Sequence, residues 1–160
     1  MPKAIYPGTF DPVHNGHVDI ATRGAGVFDE LIVAVYETPP TKNLTFTTEE
    51  RLALFQKAVV NIPNIKVVPF TGLAPMFAQN NGAKFIMRGL RAGLDFEMES
   101  EMALMWRHIA PDIDVVCMMS GLEYQFIYSS RIKEIALLGA SIEDLVPPHV
   151  SDALEEKLGR

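Results

Sequence analysis

With a lone cysteine, Cys117, this chain of 160 residues has no means of forming an internal disulfide or a cysteine-rich metal site. A reducing, cytoplasmic setting is the expectation. Positive charge is scarce too: 14 Lys and Arg stand against 20 Asp and Glu, a net charge of −6. Nucleic-acid binding through phosphate neutralisation needs a basic excess and is disfavoured. No apolar run approaches the roughly 18 residues that a membrane span requires. Pro2 and Pro7 interrupt any signal-peptide core at the start. The G-x-x-x-x-G-K-[ST] phosphate loop does not occur. Gly24-Ala25-Gly26 imitates half of a dinucleotide fingerprint, but it ends a helix, and Asp29 stands at the third glycine position. No serine nucleophile elbow is found, and Cys117, inside an apolar strand, reads as an inert core thiol.

The remaining composition, 48% hydrophobic and 21% charged, is that of a single globular domain spanning residues 1–160. Apolar runs rich in β-branched residues recur at Ala4–Tyr6, Leu31–Tyr36, Ile65–Phe70, Phe85–Met87 and Val115–Met119. Stretches of helical spacing lie between them, the alternation of βαβ units. Ile20, Ala21, Gly24, Val27 and Phe28 would share one helical face. Thr47-Thr48-Glu49-Glu50 reads as a capping box opening a helix with Leu52, Leu54, Phe55, Ala58 and Val59 inward. Further helices are expected over about Asp95–Ile109, from Ser129 or Ser130 to Leu138 with Gly139 as its stop, and after Pro147-Pro148. Strands apolar on both faces predict an α/β fold, a doubly wound parallel sheet of Rossmann-like type. Such sheets bind ligands beyond the carboxyl ends of their strands.

The loop after the first strand reads Tyr6-Pro7-Gly8-Thr9-Phe10-Asp11-Pro12-Val13-His14-Asn15-Gly16-His17. Histidines three apart at a helix start face one side of its first turn. Free N–H groups and the positive end of the helix dipole make an anion site there without any lysine. Gly16 would let a phosphate approach the backbone, and both histidines would donate to it. Metal ligation, a purely structural histidine and a hydrolase base compete with this reading; the first lacks a third ligand and the last a nucleophile.

His14-x-Gly16-His17 resembles the (H/T)xGH signature of the nucleotidylyltransferase superfamily. The run from Tyr6 to His17 is similar to that of bacterial phosphopantetheine adenylyltransferases, which act in coenzyme A synthesis. The resemblance continues in Phe46-Thr47-x-Glu49-Glu50-Arg51, in Arg88-Gly89-Leu90-Arg91 with Asp95-Phe96-Glu97, and in Ser129-Ser130 with Lys133-Glu134. Four blocks in register are far more specific than one. The resemblance implies transfer of AMP from ATP to 4′-phosphopantetheine, with magnesium accompanying ATP, in a homohexamer with coenzyme A as feedback ligand. It implies contacts to phosphopantetheine from Thr9, Lys42, Ala74 (beside Leu73) and Arg88. For ATP it implies Thr9, Phe10, His14, His17, Gly89, Leu90, Arg91, Glu99, Tyr124, Gln125, Phe126, Ile127, Tyr128, Ser129 and Ser130. His17 would stabilise the transition state, with Thr9 orienting the attacking phosphate.

Two positions depart from the family's usual Ile-Ser-Ser-Ser segment: Tyr128 replaces its first serine, and Arg131 replaces an apolar residue. His14 stands where this family mostly has threonine. From pattern alone Arg88 and Arg91 could instead pair with Asp95 or Glu97 on the surface, and Ser129 and Ser130 could be plain caps. Met98, Met102, Met105 and Trp106 form a stripe that reads first as core, with a subunit interface or a pantetheine tunnel as the alternative.

Overall fold

The computed structural model describes residues 1–160. Its elements are β1 (Lys3–Gly8), α1 (Asn15–Ala25), β2 (Glu30–Tyr36), α2 (Thr48–Ala58), β3 (Ile65–Phe70), α3 (Ala74–Asn80), β4 (Phe85–Leu90), α4 (Gly93–Ile109), β5 (Asp114–Met119), a 3₁₀ turn (Leu122–Tyr124), α5 (Ser129–Leu137) and α6 (Pro148–Lys157). The sheet is parallel throughout, ordered β3-β2-β1-β4-β5, so the chain reverses direction across the sheet at β1 and β4. No helix is long and apolar enough to cross a membrane.

Side-chain alternation along the central strands feeds two cores. Ala4, Tyr6, Leu31, Val33, Val35 and Met87 enter the larger one, shared with α1, α2, α5 and α6. Ile5, Ile32, Ala34 and Ile86 enter the smaller one, with Ala74, Ala78, Ala110 and Ile113. The expected doubly wound architecture is present. The strand runs and the capping box are present as well: Thr47 Oγ1 accepts from the Glu50 N–H, and the Glu50 carboxylate accepts from the Thr47 N–H. Gly139 adopts φ +94° just past α5, the left-handed stop its position suggests. The seven-residue α3, with proline in its first turn, carries too little periodicity to announce itself.

Three burial expectations fail, and for one reason: burial depends on what covers an element, not on its own apolarity. Val27 lies beyond the end of α1 and is exposed. Cys117 is exposed on the edge strand β5, so it is not a core thiol. Along α4 no residue is buried; Met98, Met102 and Met105 face outward at 70%, 46% and 56% exposure, and only Trp106 packs on the smaller core.

Two features shape the carboxyl edge of the sheet. β1 pairs with β2 along its whole length, but with β4 only at Ala4–Phe85 and Ile5–Ile86. Pro7 has no N–H to give a ladder, and the two strands part beyond Ile5. Arg51 then ties the loops together. Its buried guanidinium donates to the carbonyls of Phe46, Thr9, Tyr36 and Glu37 and to Thr48 Oγ1, at 2.6–3.3 Å. It thus joins the loop after β1 to the one after β2. Burial lowers its pKa, against the pull of Asp11 and Glu49. Arg51→Met is expected to leave these carbonyls unpaired and to cost at least about 3 kcal/mol, since each stranded buried group costs roughly 1–3 kcal/mol. Urea denaturation checks this, and a loss below about 1 kcal/mol would contradict the bracing role.

Candidate active site

The parting of β1 and β4 opens a cleft of about 550 Å³ at the carboxyl ends of the strands. At its floor, Arg88 on β4 reaches across and donates to the Pro7 carbonyl at 2.7 Å, replacing the absent ladder. The other side of Arg88 meets Glu99 on α4 in two hydrogen bonds of 2.8 and 2.9 Å. Burial opposes the charge on Arg88, but Glu99 outweighs it and holds the guanidinium pKa above its ordinary value. The alternative of a pair with Asp95 or Glu97 fails for Arg88, whose partner is Glu99, eleven residues away, and holds for Arg91. Asp95 binds Arg91, accepting from its backbone N–H and its Nε at 2.9 and 3.0 Å.

The two histidines cap α1 reciprocally. His14 is the N-cap, and its Nδ1 accepts from the His17 N–H at 3.3 Å; His17 Nδ1 accepts from the His14 N–H at 3.2 Å. Their rings stack with centroids 3.5 Å apart. Because each Nδ1 is an acceptor, each neutral ring carries its proton on Nε2. Burial, aided by Arg91, lowers the His14 pKa to about 3; burial, His14 and the nearby cations hold His17 well below the ordinary range. His14 lines the cleft, and its Nε2 is buried with no protein partner. The glycine between them serves the imidazole more than a phosphate: a Cβ on Gly16 would lie 3.0 Å from His14 Cε1 and 3.4 Å from Tyr124. Phe10, at φ +52°, packs edge-on against the His17 ring, a backbone state that is strained for a bulky residue.

Around this pair stand four cations, Lys42, Arg88, Arg91 and Lys133, and three carboxylates, Asp11, Asp95 and Glu99. Each carboxylate is bound to one cation, which leaves Lys42 without an acidic partner. Its ammonium donates to Thr9 Oγ1 at 3.2 Å, and its pKa is lowered by burial and by Arg88 and Lys133. Asp11 accepts from the Thr45 and Phe46 N–H groups and from Lys133 Nζ at 2.8–2.9 Å, so it fastens the Lys42 loop to α5. The sequence reading assigned Lys133 and Asp11 no role in the site. Lys133 could have been found from its spacing, one helical turn after Ser129 and Ser130. For Asp11 the sequence signal is only an Asp-Pro turn.

Of the residues singled out for substrates, Thr9, Phe10, His14, His17, Lys42, Arg88, Gly89, Arg91, Glu99, Tyr124, Tyr128, Ser129 and Ser130 line the cleft. Ala74, Leu90, Gln125, Phe126 and Ile127 do not: Ala74, Leu90 and Ile127 are buried in the fold, and Phe126 points to solvent. Arg131 is exposed and pairs with Glu134.

Residues 5–135 match the cytidylyltransferase-like family model. A phosphopantetheine adenylyltransferase from Thermomicrobium roseum is 50% identical over 157 residues, covering 97% of this chain and 94% of its own. One from Dictyoglomus thermophilum is 46% identical over 159 residues, covering 99% and 96%. The chain belongs to the phosphopantetheine adenylyltransferase family. Among solved structures, a nicotinate-nucleotide adenylyltransferase candidate from Vibrio parahaemolyticus superposes with a TM-score of 0.70 at 15% identity, covering 99% of this chain and 95% of its own. At that identity the likeness speaks for the fold alone.

The depressed histidines have a consequence for stability. Between pH 6.5 and about 3 an unfolded chain protonates both rings while the folded His14 stays neutral. The unfolded state then binds more protons, so stability falls as pH drops through that window, by up to about 1.4 kcal/mol per pH unit per histidine. His14→Asn keeps a capping acceptor without a titrating ring. Its stability, measured by denaturant titration from pH 7 to 4, is expected to fall less steeply than that of the parent; an unchanged slope would count against a buried neutral His14.

Proposed function

We propose that this site transfers the adenylyl group of ATP to the phosphate of 4′-phosphopantetheine, releasing pyrophosphate and giving dephospho-coenzyme A. The chain is a nucleotidyltransferase by family. The observation that carries the site-level reading is the gathering of four cations about two neutral Nε2–H donors, in a chain with a net charge of −6. Lys42 in the loop after β2, Thr9 beside it and Arg88 on β4 suit the acceptor phosphate. Arg91, Lys133 and the start of α5 suit the departing pyrophosphate, which also meets the free N–H groups and dipole of that helix.

The attacking group is a phosphate monoester with a second pKa near 6, largely dianionic at neutral pH. No base is needed. One of its oxygens forms the bond to the α-phosphorus of ATP while the bond to the β-phosphate oxygen breaks, and the electron pair leaves with pyrophosphate. A histidine held well below its ordinary pKa is a poor proton carrier but a steady neutral donor, and His17 is assigned to the α-phosphoryl oxygens as charge builds there. Burial, Arg88 and Lys133 disfavour the Lys42 ammonium, and a dianion beside it would favour that charge again. Glu99 acts by holding Arg88 in place. ATP enters as its magnesium complex, the ion carried by phosphates and water, because the cleft's three carboxylates are already bound to cations.

Ala74, Leu90 and Ile127, buried outside the cleft wall, can contribute only backbone groups or shape. The exposed apolar stripe of α4 supports self-association, and we take the assembly to be the homohexamer that the resemblance implies, working in the cytoplasm with coenzyme A as feedback ligand of the same cleft. A Met102→Glu, Met105→Glu double variant is expected to sediment as a smaller species than the parent; identical sedimentation would move the interface elsewhere.

The reaction is tested by pyrophosphate release from ATP, magnesium and phosphopantetheine. His17→Ala is expected to lower kcat by about 10²–10³, the cost of one preorganised donor. Near-normal turnover would remove His17 from the chemistry.

A further inference from the structure

The first serine of the family's usual segment is here Tyr128, the N-cap of α5, and its side chain makes no capping hydrogen bond. Its ring belongs to neither apolar core. What it does touch is Arg91, whose guanidinium carbon lies 3.8 Å from the ring centroid. Arg91 is thereby held on three sides: Nε on Asp95 at 3.0 Å, Nη1 on the Ile127 carbonyl at 3.1 Å, and its flat face on Tyr128. A guanidinium has five N–H donors, and both on Nη2 have no protein acceptor. Ser129, next in the chain, gives its hydroxyl proton to the Pro12 carbonyl at 2.9 Å. The hydroxyl donors at the start of α5 are therefore fewer than a three-serine segment supplies, and more of the anion binding falls to Arg91.

We propose that Tyr128 is a positioning residue for the nucleotide, which acts by stacking on Arg91 and fixing its free Nη2 edge toward the phosphates in place of a serine hydroxyl. The proposal rests on the reading above that ATP occupies this half of the cleft. An arginine already confined loses less freedom when it binds an anion, so the ring improves affinity without touching the ligand through its own hydroxyl. Two outcomes follow from that mechanism. The aromatic face should matter and the phenol oxygen should not, and the effect should vanish when the planar guanidinium is gone.

MgATP binding, measured by calorimetric titration without acceptor, is expected to be within twofold of the parent for Tyr128→Phe and about 3- to 10-fold weaker for Tyr128→Leu, the range of a partly desolvated cation–π contact. In turnover assays Tyr128→Leu should raise KM for MgATP and leave KM for phosphopantetheine unchanged, a split that general loosening of the fold would not produce. Placed in an Arg91→Lys background, Tyr128→Leu should cause little further loss. Wild-type affinity in Tyr128→Leu, failure of Tyr128→Phe to restore it, or an equal loss in the Arg91→Lys background would each overturn the stack as the operative contact. Because the titrations need no acceptor, absence of pyrophosphate release in the parent would count against the proposed reaction while the binding series still decides the role of Tyr128.

Discussion

A central strand that abandons half of one ladder leaves backbone groups that something else must satisfy, and the whole site grows from that need. β1 and β4 pair only at Ala4–Phe85 and Ile5–Ile86. Past that point the Pro7 carbonyl turns to Arg88, and Arg88 in turn requires Glu99 to offset its burial. Stranding any one of these groups would leave a costly unpaired charge or carbonyl. A single structural gap thus fixes an arginine on β4, a carboxylate on α4 and the mouth of a cleft between them. The loops above the gap are braced independently by Arg51, which reads the carbonyls of both β1 and β2 exits.

The same gap governs the electrostatics. An acidic chain cannot attract two polyanions by its overall field, so positive potential has to be local. It is made local by giving every carboxylate in the cleft a cation and leaving Lys42 without one. The carboxylates cancel much of the formal charge, yet they are what hold the arginines and Lys133 in fixed positions. Fixed donors are worth more to a developing charge than a larger number of mobile ones.

How much of this was legible depended on the distance over which each interaction acts. The capping box at Thr47–Glu50, the stop at Gly139 and the apolar strand runs are local, and their residues declare them. His14 and His17 were legible as neighbours on one face because their spacing is helical. Their exchange of backbone hydrogen bonds, which makes Gly16 a seat for an imidazole, needed the loop geometry. Arg88 with Glu99, Asp11 with Lys133 and Arg91 with Tyr128 join residues 11, 122 and 37 positions apart, and no periodicity encodes such meetings. Apolarity misled where the covering layer is missing: the α4 methionines and Cys117 are as hydrophobic as core residues, but nothing within the chain lies over them.

The neutral state of the histidine pair is the point on which local folding and chemistry agree. A helix start has unpaired N–H groups that favour an acceptor, so each Nδ1 is drawn to the backbone and each proton is driven to Nε2. Burial and the surrounding cations then make a second proton on either ring unfavourable. The charged state that would bind phosphates most strongly at rest is the one that burial and the surrounding cations disfavour. What remains is a pair of donors that do not titrate near neutrality and that do not trap pyrophosphate by full charge. Such donors gain most when an oxygen becomes more negative, as the α-phosphoryl oxygens do on the way to the transition state, and differential stabilisation of that kind accelerates a reaction where uniform binding does not.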